Sequence, residues 1–340
     1  MAQTKKATIK DISERTGLAM GTVSKYLNGK TVKERNKLLL DDAIKSLNYT
    51  VDEYARGFIT GITKTVGVLL PELDNLFYAK IVAKLELELN KNGYAAIIRE
   101  SRYNLQKELE SINWFANRRV DALIVVPNGR TAEDYRALQN IRIPIIFMDM
   151  WIKELDYDFI VVNNRDISDA AVQYLVDKGH KDIAILCLNT KYYTAHRRLK
   201  GYKDVLERNS LPIKNELVYI IGEGIETAYN VAQEIIDKKH CTAIYASNYT
   251  STFGALFALN ERGVKIPQEM SFLGFDDIWA TKLFRPKPAI INQPIDEIGA
   301  AAAQRALELI GSKGAYEYKK TYLKCEFRTG DTIADISTRF

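Results

Sequence analysis

The sequence predicts an α/β protein: a small N-terminal helix-turn-helix headpiece followed by a core of two doubly wound lobes. Three observations predict it. Short amphipathic segments, punctuated by Gly17 and Asn28-Gly29, fill the first fifty or so residues. From Thr65 onward, apolar runs of strand length alternate with amphipathic stretches in two successive series, the pattern of parallel sheets covered by helices. Charge is also uneven: residues 1–64 hold 12 Lys+Arg and 7 Asp+Glu, which leaves 36 of each sign from the chain's 48 basic and 43 acidic residues. A basic head on a neutral body suits a polyanion, because neutralising phosphates releases condensed counterions; a solvated basic surface is the alternative.

With 340 residues, 46% of them hydrophobic, the chain can bury a headpiece core and a two-lobed domain. No apolar run reaches about eighteen residues, and the opening MAQTKKATIK has no apolar signal region, so a cytoplasmic protein with no membrane partner is expected. Cys187, Cys241 and Cys325 are odd in number and widely spaced, which argues against a disulfide framework or a zinc site. P-loop, GxGxxG, GxSxG and HExxH motifs are absent, and the 3 histidines are far apart. Neither an enzyme, a cofactor nor a metal is expected.

In the headpiece, Thr8-Ile9-Lys10-Asp11 has capping-box spacing, so a helix should start near Ile9 and stop at Gly17. A second should run from about Met20 to Leu27. Ile12, Leu18, Val23 and Leu27 are spaced to pack the two together, which turns Met20, Gly21, Thr22 and Lys25 outward. A third helix, about Lys33 to Asn48, is expected to close the core with Leu38, Leu39, Ala43, Ile44 and Leu47.

The stretch ATIKDISERTGLAMGTVSKYLNG, with Tyr49 and Ala55-Arg56, resembles the headpiece and hinge of the lactose-repressor (LacI/GalR) family of bacterial regulators. The resemblance implies that the second helix enters the major groove with Met20, Gly21 and Lys25 at base edges, where Lys25 can donate to guanine and Met20 can touch a thymine methyl. Thr8, Thr22, Ser24 and Asn28 are then phosphate contacts that position the helix, a solvated face being the alternative for Thr22 and Ser24. Tyr49, Ala55, Arg56 and Phe58 complete the implied DNA-binding set. Residues 51–63 would be a hinge that becomes helical on DNA, with Phe58 as an apolar wedge in the minor groove; packing of Phe58 against the core is the alternative. Gly57 weakens the isolated hinge helix by about 1 kcal/mol, so its folding should depend on DNA. Ala19 stands where the family usually has Ser, Lys25 where it has Arg, and Gly21 offers no side chain. These departures weaken readout by the second helix.

In the body, strands are predicted near 66–70, 95–98, 122–126 and 144–148, with helices near 77–92, 105–118 and 132–140. The second series places strands near 183–188, 218–221, 243–246 and 271–275, and helices near 167–178, 197–209, 227–238 and 250–262. Such sheets bind ligands at the carboxyl ends of their strands.

Asn75-Leu76-Phe77-Tyr78, Gly179-His180-Lys181-Asp182-Ile183, Arg198-Leu199-Lys200-Gly201-Tyr202 and Gly274-Phe275-Asp276-Asp277 extend the resemblance to the family's periplasmic-binding-protein-like core. It implies a headpiece over 1–50, a hinge over 51–63 and an effector-binding core over 64–340. The first lobe would be about 64–161 and 292–322, the second about 162–291 and 323–340, with crossings near 162, 291 and 322. Arg198 and Asp276 match effector-contacting positions, where a guanidinium fork and a carboxylate suit sugar hydroxyls. Phe77, Tyr78, Asn248, Asp166 and Trp279 complete the implied pocket; a surface salt bridge of Arg198 with Asp276, and core packing of Phe77, are the alternatives. Asn163-Asn164, Tyr249 and Gly224 depart from the family pattern and leave the ligand open.

The expected protein is a homodimeric or tetrameric sequence-specific repressor on a palindromic double-stranded operator, controlled by a small molecule, with a neutral sugar first. A protein co-effector, a nucleobase or a phosphorylated sugar are the alternatives.

Overall fold

A computed structural model describes residues 7–27, 29–50, 61–129, 131–312, 314 and 317–338. The chain divides into two compact units, Met1–Thr63 and Lys64–Phe340.

The first unit contains α1 (Ile9–Thr16), α2 (Met20–Leu27) and α3 (Glu34–Ser46). Thr8 caps α1 reciprocally: its hydroxyl oxygen accepts from Asp11 N at 3.3 Å, while Thr8 N donates to Asp11 Oδ2 at 2.7 Å. Gly17 ends the helix at φ 69°, a backbone that side-chain-bearing residues rarely adopt. Ser13 Oγ donates to Leu18 O at 2.6 Å and pins the turn into α2. Ile12, Val23, Leu40 and Ala43 form the core, flanked by Leu18, Leu27, Ile44, Leu47 and Tyr49.

Leu38 and Leu39, expected in that core, lie outside it. Leu38 is 66% and Leu39 43% exposed, and Leu40 is fully buried instead. At 100° per residue, Leu40, Ala43, Ile44 and Leu47 share one face; Leu38 falls opposite and Leu39 on the flank.

The second unit holds two six-stranded sheets. The first comprises β1 (Thr65–Leu70), β2 (Ala95–Glu100), β3 (Ala122–Val125), β4 (Ile145–Met148), β5 (Asp158–Val162) and the late β11 (Lys320–Leu323), in the order β11-β5-β4-β3-β1-β2, all parallel. The second comprises β6 (Ile183–Leu188), β7 (Val218–Ile221), β8 (Ala243–Ala246), β9 (Ser271–Phe275), β10 (Ala289–Asn292) and β12 (Glu326–Arg328), in the order β12-β10-β9-β8-β6-β7. Only β12 runs antiparallel to its neighbour, β10. The chain changes sheet between β5 and β6, after β10, and between β11 and β12.

Helices α4 (Leu76–Lys91), α5 (Leu105–Asn117), α6 (Asn164–Asp177), α7 (Tyr193–Arg208), α8 (Ile225–Lys238), α9 (Tyr249–Glu261) and α10 (Ile295–Gly311) cover the sheets. Two pairs approach closely because glycine sits at the crossing. A Cβ at Gly299 of α10 would lie 2.7 Å from Ile81 O of α4, and one at Gly254 of α9 would lie 2.6 Å from Ile225 O of α8. The segment expected as a helix near 132–140 is a 3₁₀ helix, Glu133–Asn140. Its two buried side chains, Tyr135 and Leu138, are three residues apart and so stack on one edge of a three-residue turn.

The register of α3 is testable. Leu40→Ala should destabilise the headpiece by about 2–5 kcal/mol, whereas Leu38→Ala should stay within about 0.5 kcal/mol. Hydrogen exchange of the α1–α3 amides in the full chain reads both. Equal effects at the two positions would contradict the packing.

Candidate functional site

The carboxyl ends of strands from both sheets face a cavity of about 80 Å³ in the Lys64–Phe340 unit. That is space on the order of several water molecules. The first sheet delivers Asn128 after β3 and Asp149 after β4; the second delivers Glu223 after β7, Asp276 after β9 and Gln293 after β10. The site therefore lies where doubly wound sheets place ligands.

Its floor is Arg198 on α7, 5% exposed. Nε donates to Asn164 Oδ1 at 2.7 Å, Nη1 donates to Ser247 O at 2.8 Å, and the guanidinium carbon sits 3.7 Å from the Phe275 ring centroid. Such a buried cation needs these partners, because an unpaired buried charge is far more costly than an exposed one. Asp276 and Asp149 turn toward the cavity from left-handed backbone, at φ 72° and 69°, a region aspartate enters more readily than most residues.

Burial pushes Asp276 up to about 6, against the opposing pull of Arg198 and of Gln293, whose Nε2 donates to Asp276 Oδ1 at 2.6 Å. Asp149 is likewise raised by burial, with Arg198 and the Tyr78 hydroxyl, 3.3 Å from Oδ2, opposing. Burial and then the nearby Glu72 carboxylate push Glu223 up to about 7. Phe77 and Tyr78 open α4, tilted at 5.3 Å between centroids, and Asn75 fixes that turn by accepting from Phe77 N at 3.0 Å. Asn248 caps α9, accepting from Ser251 N at 3.1 Å, and also forms part of the wall.

Of the expected pocket residues, Phe77, Tyr78, Arg198, Asn248 and Asp276 come together on this cavity. Asp166 and Trp279 do not. Asp166 is exposed in the first turn of α6, off the buried stripe of Asn164, Ile167, Ser168 and Ala171. Trp279 is 55% exposed, because its neighbours Ile278 and Thr281 take the inward positions. Sequence reasoning missed Asn128, Asp149, Glu223 and Gln293. The first three follow predicted strand ends, so asking each strand for its next polar residues would have found them.

On the headpiece, Met20 is 57% exposed, Gly21 and Lys25 are exposed, and Thr22 and Ser24 are half-buried on the same helix. The Thr8 hydroxyl is engaged in the α1 cap, and Tyr49 packs half-buried on the headpiece core. Asn28, Ala55, Arg56 and Phe58 lie outside the described residues. Among the described residues no helix is long and apolar enough to cross a membrane, and no group of His, Cys, Asp and Glu could hold a metal ion.

Residues 63–329 match the model of periplasmic binding proteins and the sugar-binding domain of the LacI family. The HTH-type transcriptional repressor PurR of Edwardsiella ictaluri is 30% identical over 312 residues, which cover 90% of this chain and 91% of that relative. The lac repressor dimer bound to operator and the anti-inducer ONPF shares the fold with a TM-score of 0.86 at 21% identity, over 97% of this chain and 100% of the other. A LacI family regulator from Enterococcus faecium with bound ribose has a TM-score of 0.72 at 24% identity, over 80% and 99%.

The raised carboxyl of Asp276 carries a pH signature. A group whose folded value lies above its unfolded one, about 3.9, holds its proton longer when folded, so its contribution to stability falls as pH rises from about 4 to about 6 and is level above that. Asp276→Asn removes that slope. Relative to the unsubstituted chain it should gain on the order of 2 kcal/mol between pH 4 and pH 7 in urea unfolding. A parallel shift at both pH values would contradict the assignment.

Proposed function

This chain belongs to the LacI family of transcription regulators, and from that membership we propose that it is an operator-binding repressor whose effector is a sugar held in the cleft between the core lobes. At the coarser level it is a DNA-binding regulator controlled by an effector. The observation that carries the finer reading is a cavity built from the strand ends of both lobes. A solute bound there touches both and biases the angle between them. DNA and effector are then coupled through the core by linkage.

The reading of DNA falls to α2, where Lys25 and Met20 reach bases while Thr22 and Ser24 contact phosphate; Ala55, Arg56 and Phe58 serve the hinge. The partner in this arrangement is a second copy of the chain, which presents the second half-site of a palindrome.

Selection from random duplexes tests the first half of the proposal. A palindromic consensus is expected, and Lys25→Ala should lose about 1–3 kcal/mol of discrimination at the base pair it reads. Recovery of no consensus would sink it.

A thermal-shift screen of sugars, phosphorylated sugars and nucleobases tests the second half. A cleft ligand at a hundred times its Kd should stabilise by about 2.7 kcal/mol. Arg198→Ala should abolish that shift. A screen in which only a partner protein stabilises the core would transfer control to a protein surface.

A further inference from the structure

The hydrogen-bonding polarity of the cavity is unbalanced. Gln293, 3% exposed, directs Nε2 to Asp276 and leaves Oε1 buried with no partner. Asn128, 8% exposed, is held the same way round: Nδ2 donates to Ser101 Oγ at 2.7 Å and to Glu108 Oε2, and the Asn128 backbone N donates to Glu108 Oε2 at 2.7 Å. Glu108 is fully buried behind the wall and fixed in turn by the Tyr135 hydroxyl. Both amides thus commit N–H groups inward, and each is left with its carbonyl oxygen for a ligand.

Charge is unbalanced in the same sense. Asp149, Asp276 and Glu223 line the cavity with Arg198 as the one cationic side chain among its described lining residues. Arg198 already donates to Asn164 and Ser247, and its charge acts on Asp149 and Asp276. Glu223 is hydrogen-bonded by Tyr192, which opposes its rise, but no cation acts on it; the charged neighbour that does is Glu72. Glu72 accepts from the hydroxyl of Tyr103, another lining residue, at 3.2 Å. Glu72 follows β1 of the first lobe and Glu223 follows β7 of the second. The two carboxyl groups thus come from opposite lobes, and Arg198 is not among the groups acting on Glu223.

Resting on the effector-site reading above, we propose that the effector is a cationic, hydroxyl-bearing solute of the amino-sugar class. Its ammonium is taken by Glu223 and Glu72, and its hydroxyls donate to Gln293 Oε1, Asn128 Oδ1 and Asp276. A phosphorylated or carboxylated sugar would bring an anion to three lining carboxyl groups and is excluded by like-charge repulsion and the desolvation of unpaired charge. A neutral hexose can meet the acceptors and leaves the Glu72–Glu223 pair unanswered.

The test is thermal-shift titration of the full chain with glucosamine, galactosamine and mannosamine, each beside its parent hexose, and with glucose 6-phosphate and glucuronate. At least one hexosamine should bind tenfold or more tighter than its parent hexose. Glu223→Gln, or separately Glu72→Gln, should reduce that preference to within about twofold. Equal binding of hexosamine and hexose, tighter binding of either anion, or no hexosamine binding overturns the proposal. A neutral or anionic binder that is lost on Asp276→Asn would leave the cleft as the effector site while removing the cation. Absence of any binder sensitive to that substitution removes both.

Discussion

Arg198 is the cation around which the cleft is arranged, and its own anchoring explains much of the surrounding geometry. Asn164 from α6, Ser247 after β8 and Phe275 of β9 each supply one partner, so three elements of the second lobe are tied to a single side chain of α7. Removing the Asn164 amide or the Phe275 ring leaves a buried charge with an incomplete shell, a change of about 1–3 kcal/mol for such neutral partners. The same guanidinium opposes the rise of two carboxyl groups, Asp276 on its own lobe and Asp149 on the other. The charge of Asp149 is thus answered from across the cleft, which couples the state of that carboxyl to how closely the lobes approach.

Such coupling was only partly legible in the sequence. Arg198 and Asp276 could be read because each sits in a local motif, RLKGY and GFDD, that carries its own position on helix and strand end. Asp149 and Glu223 have no motif. Their importance arises from convergence of β4 and β7 on one cavity, a long-range fact that local spacing does not encode. Asp166 and Trp279 lie off the cavity for the complementary reason: their types suit a pocket, but the phase of α6 and the inward turn of Ile278 and Thr281 leave them outside it.

The fold shows the same division. Long apolar runs such as Val66 to Leu70 and Ile183 to Leu188 declared themselves as buried parallel strands. Four strands did not: β5 and β10 are apolar but only five and four residues long, and β11 and β12, Lys320–Leu323 and Glu326–Arg328, are short, polar and partly exposed and become strands through pairing with β5 and β10. In α3, the run Leu38-Leu39-Leu40 fixes a helix but not its rotation; the phase is set by contact with Ile12 and Val23. Pattern identifies elements, and packing chooses which of their faces is inside.

The surplus of acid in the cleft has a consequence for switching as well as for ligand choice. A ligand shifts a conformational equilibrium only by the difference in its interaction with the two states. With Glu72 on one lobe and Glu223 on the other, closure without a cation adds like-charge repulsion to the burial that already raises the Glu223 carboxyl. A cation between them reverses the sign of the same term, favouring closure by a contact that exists only when the lobes meet. An uncharged ligand can bridge the lobes through hydroxyl contacts to Asn128, Asp276 and Gln293 but adds nothing that offsets the repulsion. In the proposed site a cation between the pair adds a contact to each lobe, so the ligand's charge enters the switch directly.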